Sequence, residues 1–263
     1  MPKYTHGHHE AVLRSHRSRT VANSAAYLVP HLRPGLSVLD VGCGPGTITA
    51  DLAELVAPGV VTAVEPVPDA FGAAKEFAAG RNVTNIRFEI ADVHSLPYPD
   101  NSFDVVHAHQ VLQHLHDPVA ALREMRRVSR GVVAARDSDY AAMAWFPESP
   151  VLDEWMALYR KVARHNGGEP DAARRLLSWA RAAGFTDVVS TASTWCYATP
   201  PEREWWSGMW ADRILHTAIA DQSVAYGYAS RDDLERISQA WRAWGTADDG
   251  WFAILHGEIL ARS

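Results

Sequence analysis

Residues 38–47 read VLDVGCGPGT, an apolar strand that ends in a carboxylate and breaks at once into three glycines, Gly42, Gly44 and Gly46. A strand that runs into a glycine-rich turn ahead of a helix brings bare backbone N–H groups up to a small ligand. The spacing narrows the choice of ligand. A dinucleotide fingerprint places its third glycine one residue later, at Thr47, and wants nothing anionic beside the pyrophosphate. Here the third glycine comes early, and Asp40 stands two residues before the loop. A carboxylate there repels a pyrophosphate and attracts a cation. That disfavours a nicotinamide cofactor and favours an adenosine cofactor carrying an ammonium and a sulfonium.

The surrounding pattern alternates strand and helix. Apolar runs predict strands at 36–41, 60–65, 86–92, 103–109 and 131–137. Helical spacing covers about 46–57, 68–79 and 118–129, with Pro58-Gly59 and Gly80 as stops. Strands alternating with helices through short loops predict a parallel sheet covered on both faces. Ahead of it, near-helical spacing of Val12, Leu13, Val21, Ala25, Leu28 and Leu32 predicts a helix over 10–32. Beyond 138 the rhythm changes. An irregular apolar piece (AAMAWFP) leads into helical runs at about 150–165 and 170–183, a strand at 185–198, a helical block over 200–247 and a final strand over 250–262.

Composition narrows the partners. A net charge of −6 gives no global basic field for nucleic acid. With only Cys43 and Cys196, a disulfide framework is not expected. No apolar run reaches the roughly 18 residues that span a bilayer, and the start MPKYTHGHHE does not read as a signal peptide. The expectation is a cytoplasmic protein with a small-molecule partner, no nucleic acid and no membrane span; a homodimer is left open.

The segment 38–135, with its glycine loop and the carboxylates Glu65 and Asp92 at successive strand ends, resembles a class I S-adenosylmethionine-dependent methyltransferase. Within that class it resembles the branch that includes the ubiquinone and menaquinone C-methyltransferases and many small-molecule methyltransferases. The resemblance implies a Rossmann-like, seven-stranded, mostly parallel α/β sheet with an antiparallel last strand, helices on both faces and helical cap insertions. It implies one domain over 1–263: an N-terminal helical cap (1–33), a cofactor-binding core (34–137), helical insertions forming a substrate lid (138–184 and 200–247) and a final strand (250–262). The family's longer Lys-Pro-Gly-Gly type turn before strand five is here only Ser129-Arg130-Gly131.

The same resemblance implies residue roles. Asp40 would help to hold the methionine ammonium, directly or through water. Gly42 and Gly44 would let the backbone approach S-adenosylmethionine, with Cys43 contributing backbone alone. Glu65, 19 residues after Gly46, would accept the ribose hydroxyls, and Pro66 would pack on the adenine. Asp92 would accept the adenine amino group while the Val93 N–H donates to the ring. Strand four ends in His109-Gln110 and is followed by VLQHLHDP; side chains of His109, Gln110 and His114 here would face the methyl acceptor. A histidine there can take a proton near neutral pH, which makes His109 and His114 the catalytic candidates; the phrase HLHDP also reads as a helix start, with His114 structural.

Two features keep more than one reading. His6, His8 and His9 suggest a metal site without carboxylate or thiolate partners; no metal is predicted. A tail folding over the cofactor, with Tyr4 closing the site, and a solvated terminus are the other readings. Trp205, Trp206, Trp210, Trp241 and Trp244 are either core or the wall of a pocket for an apolar, planar acceptor. The resulting functional expectation is methylation of a small aromatic or apolar molecule on oxygen, carbon or nitrogen, releasing S-adenosylhomocysteine. The alternative is a protein of the same fold that binds the cofactor without methyl transfer, as a regulator or a cyclase.

Overall fold

The computed structural model describes residues 18–68 and 71–262. Five parallel strands come first along the chain: β1 (Val38–Val41), β2 (Val61–Glu65), β3 (Ile86–Ile90), β4 (Phe103–His109) and β5 (Ser129–Ser138). They lie in the order β3-β2-β1-β4-β5. The order reverses between β1 and β4, so their C-terminal ends open a crevice at the topological switch point. β1 is buried along its whole length, as expected for a strand covered on both faces.

The long C-terminal strand completes the sheet. β8 (Trp251–Arg262) runs antiparallel to β5, and β7 (Asp187–Tyr197) takes its opposite edge. All seven expected strands are formed. An eighth, β6 (Ala144–Phe146), continues along the β5 side of β8 and pairs with residues 251–253. It falls in the stretch whose sequence gives no periodicity, because three residues are too few to show one. The short link before β5 has gone altogether: Ser129-Arg130-Gly131 are the first residues of the strand itself.

The N-terminal helix is shorter and broken. Within the described residues it comprises α1 (Val21–Ser24), capped by Thr20, and a 3-10 turn over Ala26–His31. Ala25 between them is not helical, and Pro30 sits in the second piece. Proline lacks the N–H that an α-helix interior needs, and the capping box from extended Thr20 to Asn23 marks a helix start at Val21 where the sequence pattern predicts a helix interior.

Helices α2 (Thr47–Val56), α3 (Phe71–Gly80) and α4 (Pro118–Val128) flank the parallel half. Beyond β5 come α5 (Pro150–His165) and α6 (Leu176–Ala182); between β7 and β8 come α7 (Pro200–His216), α8 (Ala218–Ala225) and α9 (Arg231–Gly245). α5, α7 and α9 share a second core built on tryptophan. Trp155 meets Trp210 edge-on at 4.6 Å and Trp241 at 4.8 Å, and all three are fully buried. Edge-to-face rings at this distance add stability beyond the area they bury.

Truncating the centre of that cluster, Trp155→Ala, should lower unfolding free energy by about 3–5 kcal/mol. A denaturant midpoint close to wild type would show that the helical layer is not held together there.

Candidate active site

The loop after β1 owes its shape to its glycines. Gly42, Gly44 and Gly46 have φ of 70°, 52° and 76°, values that L side chains rarely adopt. A Cβ on Gly42 would run into the Val111 side chain, and one on Gly46 would meet Ala74 of α3 at 2.8 Å. The loop is also pinned to β2: Gly42 N–H donates to the Val64 carbonyl at 2.9 Å, and Gly44 N–H donates to Glu65 Oε1 at 2.6 Å. Burial pushes the Glu65 carboxyl up, and the Gly44 N–H opposes that shift.

Asp40 is buried under the loop. Its Oδ2 accepts from Thr49 Oγ1 at 2.6 Å, and its Oδ1 lies 2.8 Å from His107 Nδ1. Asp40 and His107 face each other in register across β1 and β4. With Nδ1 turned to the carboxylate, the remaining ring nitrogen is Nε2. That Nε2 is buried and has no hydrogen-bond partner. His107 is absent from the sequence reading. The available signal was its i, i+2 spacing from His109, which puts both rings on one face of the strand.

Glu65 ends β2, and Asp92 lies two residues beyond β3. Asp92 Oδ1 accepts from the His94 N–H and faces His94 Nδ1, each at 2.9 Å. These contacts, the backbone one first, lower its pKa. Val93 beside it is buried.

At the end of β4 the imidazoles are held neutral. Burial and then the charge of Arg19 press His109 well below the usual histidine range and hold His114 at about 3. Neither ring nitrogen of His109 has a hydrogen-bond partner. His114 Nε2 lies 3.1 Å from Gln113 Nε2, while Gln113 Oε1 accepts from Ser138 Oγ at 2.6 Å. Gln110 adopts a left-handed φ of 53°. Its Oε1 accepts from Arg19 Nη2 at 2.6 Å and its Nε2 donates to His256 Nε2 at 3.0 Å. His256 must be unprotonated at Nε2 to accept, consistent with the burial that depresses it.

One cavity of about 1130 Å³ joins these parts. Asp40, Gly42, Cys43, Gly44, Glu65, Pro66, Asp92, Val93, His109, Gln110 and His114 all line it. Tyr4 and the His6–His9 cluster lie outside the described residues. The cavity continues under the helical layer, where Tyr140, Trp195, Tyr197, Trp205, Trp206 and Trp210 wall it together with Arg213. The tryptophan question therefore has a split answer: Trp241 and Trp244 are core, whereas Trp205, Trp206 and Trp210 also face the cavity. Arg19, Arg213, Trp195, Tyr197 and Tyr140 were not singled out from sequence, because only the folded topology brings β7, α7 and the N-terminal segment together.

A glycine turn at the switch point, a carboxylate at the end of β2 and an adjoining acceptor-sized chamber define a Rossmann-like adenosyl-cofactor enzyme. The chain belongs to the methyltransferase domain family, whose signature matches residues 32–192. It is similar to an uncharacterized methyltransferase of Schizosaccharomyces pombe, 33% identical over 98% of this chain and 95% of that protein. Three solved structures share the fold. The YcgJ protein of Bacillus subtilis superposes with a TM-score of 0.58 at 20% identity, covering 90% of this chain and 97% of that one. The [4+2]-cyclase SpnF gives 0.54 at 22% identity over 96% of this chain and 80% of its own. Phosphoethanolamine N-methyltransferase 2 of Haemonchus contortus, in complex with S-adenosylhomocysteine, gives 0.55 at 17% identity over 88% and 49%. The protein is thus a class I methyltransferase whose cofactor is S-adenosylmethionine. Among the described residues no helix is long and apolar enough to cross a membrane.

A carboxyl beneath the site makes a separate prediction. Asp137 is fully buried; its Oδ1 accepts from the Gln113 N–H at 3.2 Å and its Oδ2 has no hydrogen-bond partner. Burial pushes it up to about 7, against about 3.9 for a free aspartate. The folded state therefore keeps a proton that the unfolded chain gives up. The resulting stability is complete below about pH 4 and disappears as pH rises through 7. Between pH 5 and 8 the urea midpoint of wild type should fall further than that of Asp137→Asn. Parallel curves for the two proteins would contradict this.

Proposed function

We propose that this methyltransferase acts on a small, planar aromatic acceptor, on oxygen, carbon or nitrogen. The observation that carries the reading is the single cavity running from the glycine loop to a wall of aromatic rings. Bound S-adenosylmethionine supplies a sulfonium-activated methyl group, and its transfer leaves the bonding pair on sulfur. The residues present fit that group: a positive-φ glycine turn, a carboxylate pinned at the end of β2, and a buried, unpartnered ring nitrogen at His107 Nε2 beside Asp40.

In this reading Glu65 accepts the ribose hydroxyls, with its other oxygen fixed by Gly44. Asp92 and the Val93 N–H read the adenine edge, and Pro66 packs on it. Asp40, oriented by Thr49 and His107, sets a negative floor for the ammonium. Gln110 is locked by Arg19 and His256 and faces the methionine portion. The aromatic wall orients the acceptor and excludes water, which is most of what an in-line displacement asks of a protein. His109 and His114 serve as uncharged groups that shape the acceptor side. Their depressed basicity does not suit a general base at neutral pH, which works best with a pKa near the operating pH. A proton released by the acceptor then leaves by solvent or is lost before binding. Residues 200–247, with α5 packed against them, form the lid over this chamber; the rest of the expected lid segment 138–184 does not belong to it, since α6 packs with α4 in the core of the parallel half and β6 joins the sheet.

Isothermal titration with S-adenosylmethionine should show binding in the wild type. Asp40→Ala and Glu65→Ala should each weaken it by about 1.5–3 kcal/mol, the scale of a lost hydrogen bond to a charged group. Unchanged affinity in both would refute the placement. Release of S-adenosylhomocysteine with an aromatic acceptor library separates methyl transfer from the cofactor-bound regulator or cyclase, which would bind and release none.

A further inference from the structure

The antiparallel end of the sheet is covered on one face and bare on the other. Side chains alternate along a strand, and β8 shows it. Phe252 and Ile254 enter the tryptophan core, so Trp251, Ala253 and Leu255 belong to the opposite face. Cover on that opposite face reaches residue 257: a Cβ on Gly257 would run into the backbone of Ala173, just ahead of α6. From there to residue 251 the face opens to solvent. The register sets Cys196 and Ala144 on either side of Ala253, and Phe146 beside Trp251. None of these six residues is charged. Phe146 is 51% exposed and Trp251 42%, and among the described residues they are the exposed Phe and Trp side chains. Apolar residues scattered singly over a surface need no explanation, but adjoining ones mark a contact site. The pair is also held in place, since Trp244 Nε1 donates to the Phe146 carbonyl at 3.0 Å from the covered side.

We infer that two copies of this chain meet on this face, sheet against sheet, across a two-fold axis that sets their β8 strands roughly antiparallel. The charges around the strip select that arrangement. One end is acidic: Asp248 and Asp249 precede Trp251, and Glu148 stands two residues after Phe146, all three exposed. At the other end Arg174 and Arg175 follow Ala173, each about half exposed and bonded to Asp139 and Glu169. The two-fold lays the acidic end of each copy over the arginine end of the other and keeps the acidic ends apart. Between them the uncharged strips come together without desolvating a charge. An anionic membrane surface would instead meet the acidic end and be repelled. Five residues along β8 and three strands across make a strip of about 17 Å by 14 Å. That suits the apolar core of an interface below standard size, so the dimer is weak and depends on concentration. It leaves the acceptor chamber unobstructed, because neither Phe146 nor Trp251 lines the cavity.

Sedimentation of the whole chain between about 1 and 300 μM, the range of a small interface, should show monomer giving way to dimer. Trp251→Glu should weaken the dimer about tenfold or more, the scale of a central aromatic anchor. Phe146→Glu is a second variant in case the first fails to fold, and a urea midpoint close to wild type shows that either is folded. The unmodified protein supplies a further measurement. Cys196 is exposed within the strip, whereas Cys43 is buried. Sheets packed face to face lie about 10 Å apart, so a bismaleimide of about that span should join two wild-type copies and fail to join Cys196→Ser. A monomer at every concentration would overturn the dimer. So would a dimer that survives both glutamate substitutions and does not link through Cys196, or a monomer that attaches to phosphatidylcholine vesicles, which would assign the strip to a lipid surface.

Discussion

The turn after β1 is held from three directions, and the remainder of the site is arranged around it. Gly44 N–H fixes Glu65, Val64 takes the N–H of Gly42, and Asp40 is gripped by Thr49 from α2 and His107 from β4. Each bond joins neighbouring strands or a strand and its helix. The parallel order of β2, β1 and β4 places these partners side by side without long loops. A buried carboxylate is costly unless its oxygens are hydrogen-bonded. Here both oxygens are occupied, so the negative charge can sit under a cationic ligand with its geometry already set.

The second half of the cavity solves a different problem. Helices on either side of β7, α5 before it and α7 and α9 after it, share a core of tryptophans, and some of these rings, Trp206 and Trp210, also supply the chamber wall. Beneath the chamber, the buried pair Arg136–Glu258 at 3.3 Å joins β5 to β8, with Ser193 and Thr191 of β7 completing the carboxylate's hydrogen bonds. Arg136 also lies under the Trp195 ring at 4.9 Å. This polar seam orients the aromatic floor and keeps a cation close to His109 and His256, one of the reasons both stay neutral.

Much of this was legible in the sequence because the relevant physics is local. The buried strands β1 and β2 show as apolar runs, and Asp40 and Glu65 appear as carboxylates at or near their ends, while Asp92 follows just beyond β3. The glycine spacing separated an adenosyl cofactor from a dinucleotide. What could not be read depends on register and distant pairing. His107 acquires meaning only when β1 and β4 lie side by side; Arg136 and Glu258 are 122 residues apart in sequence. The split role of the tryptophans likewise depends on how α5, α7 and α9 pack. The helix expected over 10–32 failed in its described part for a local reason, since a capping box and a proline outweigh apolar spacing there.

The central claim is that the cofactor lies along the strand ends with its sulfur turned toward the aromatic chamber. A crystal structure with S-adenosylhomocysteine bound tests it most directly. The account predicts adenine at Asp92–Val93, ribose hydroxyls on Glu65, the amino group near Asp40 and His107, and the thioether facing Trp205, Trp206 and Trp210. A ligand bound with its sulfur turned away from those rings, or outside the glycine loop, would contradict it.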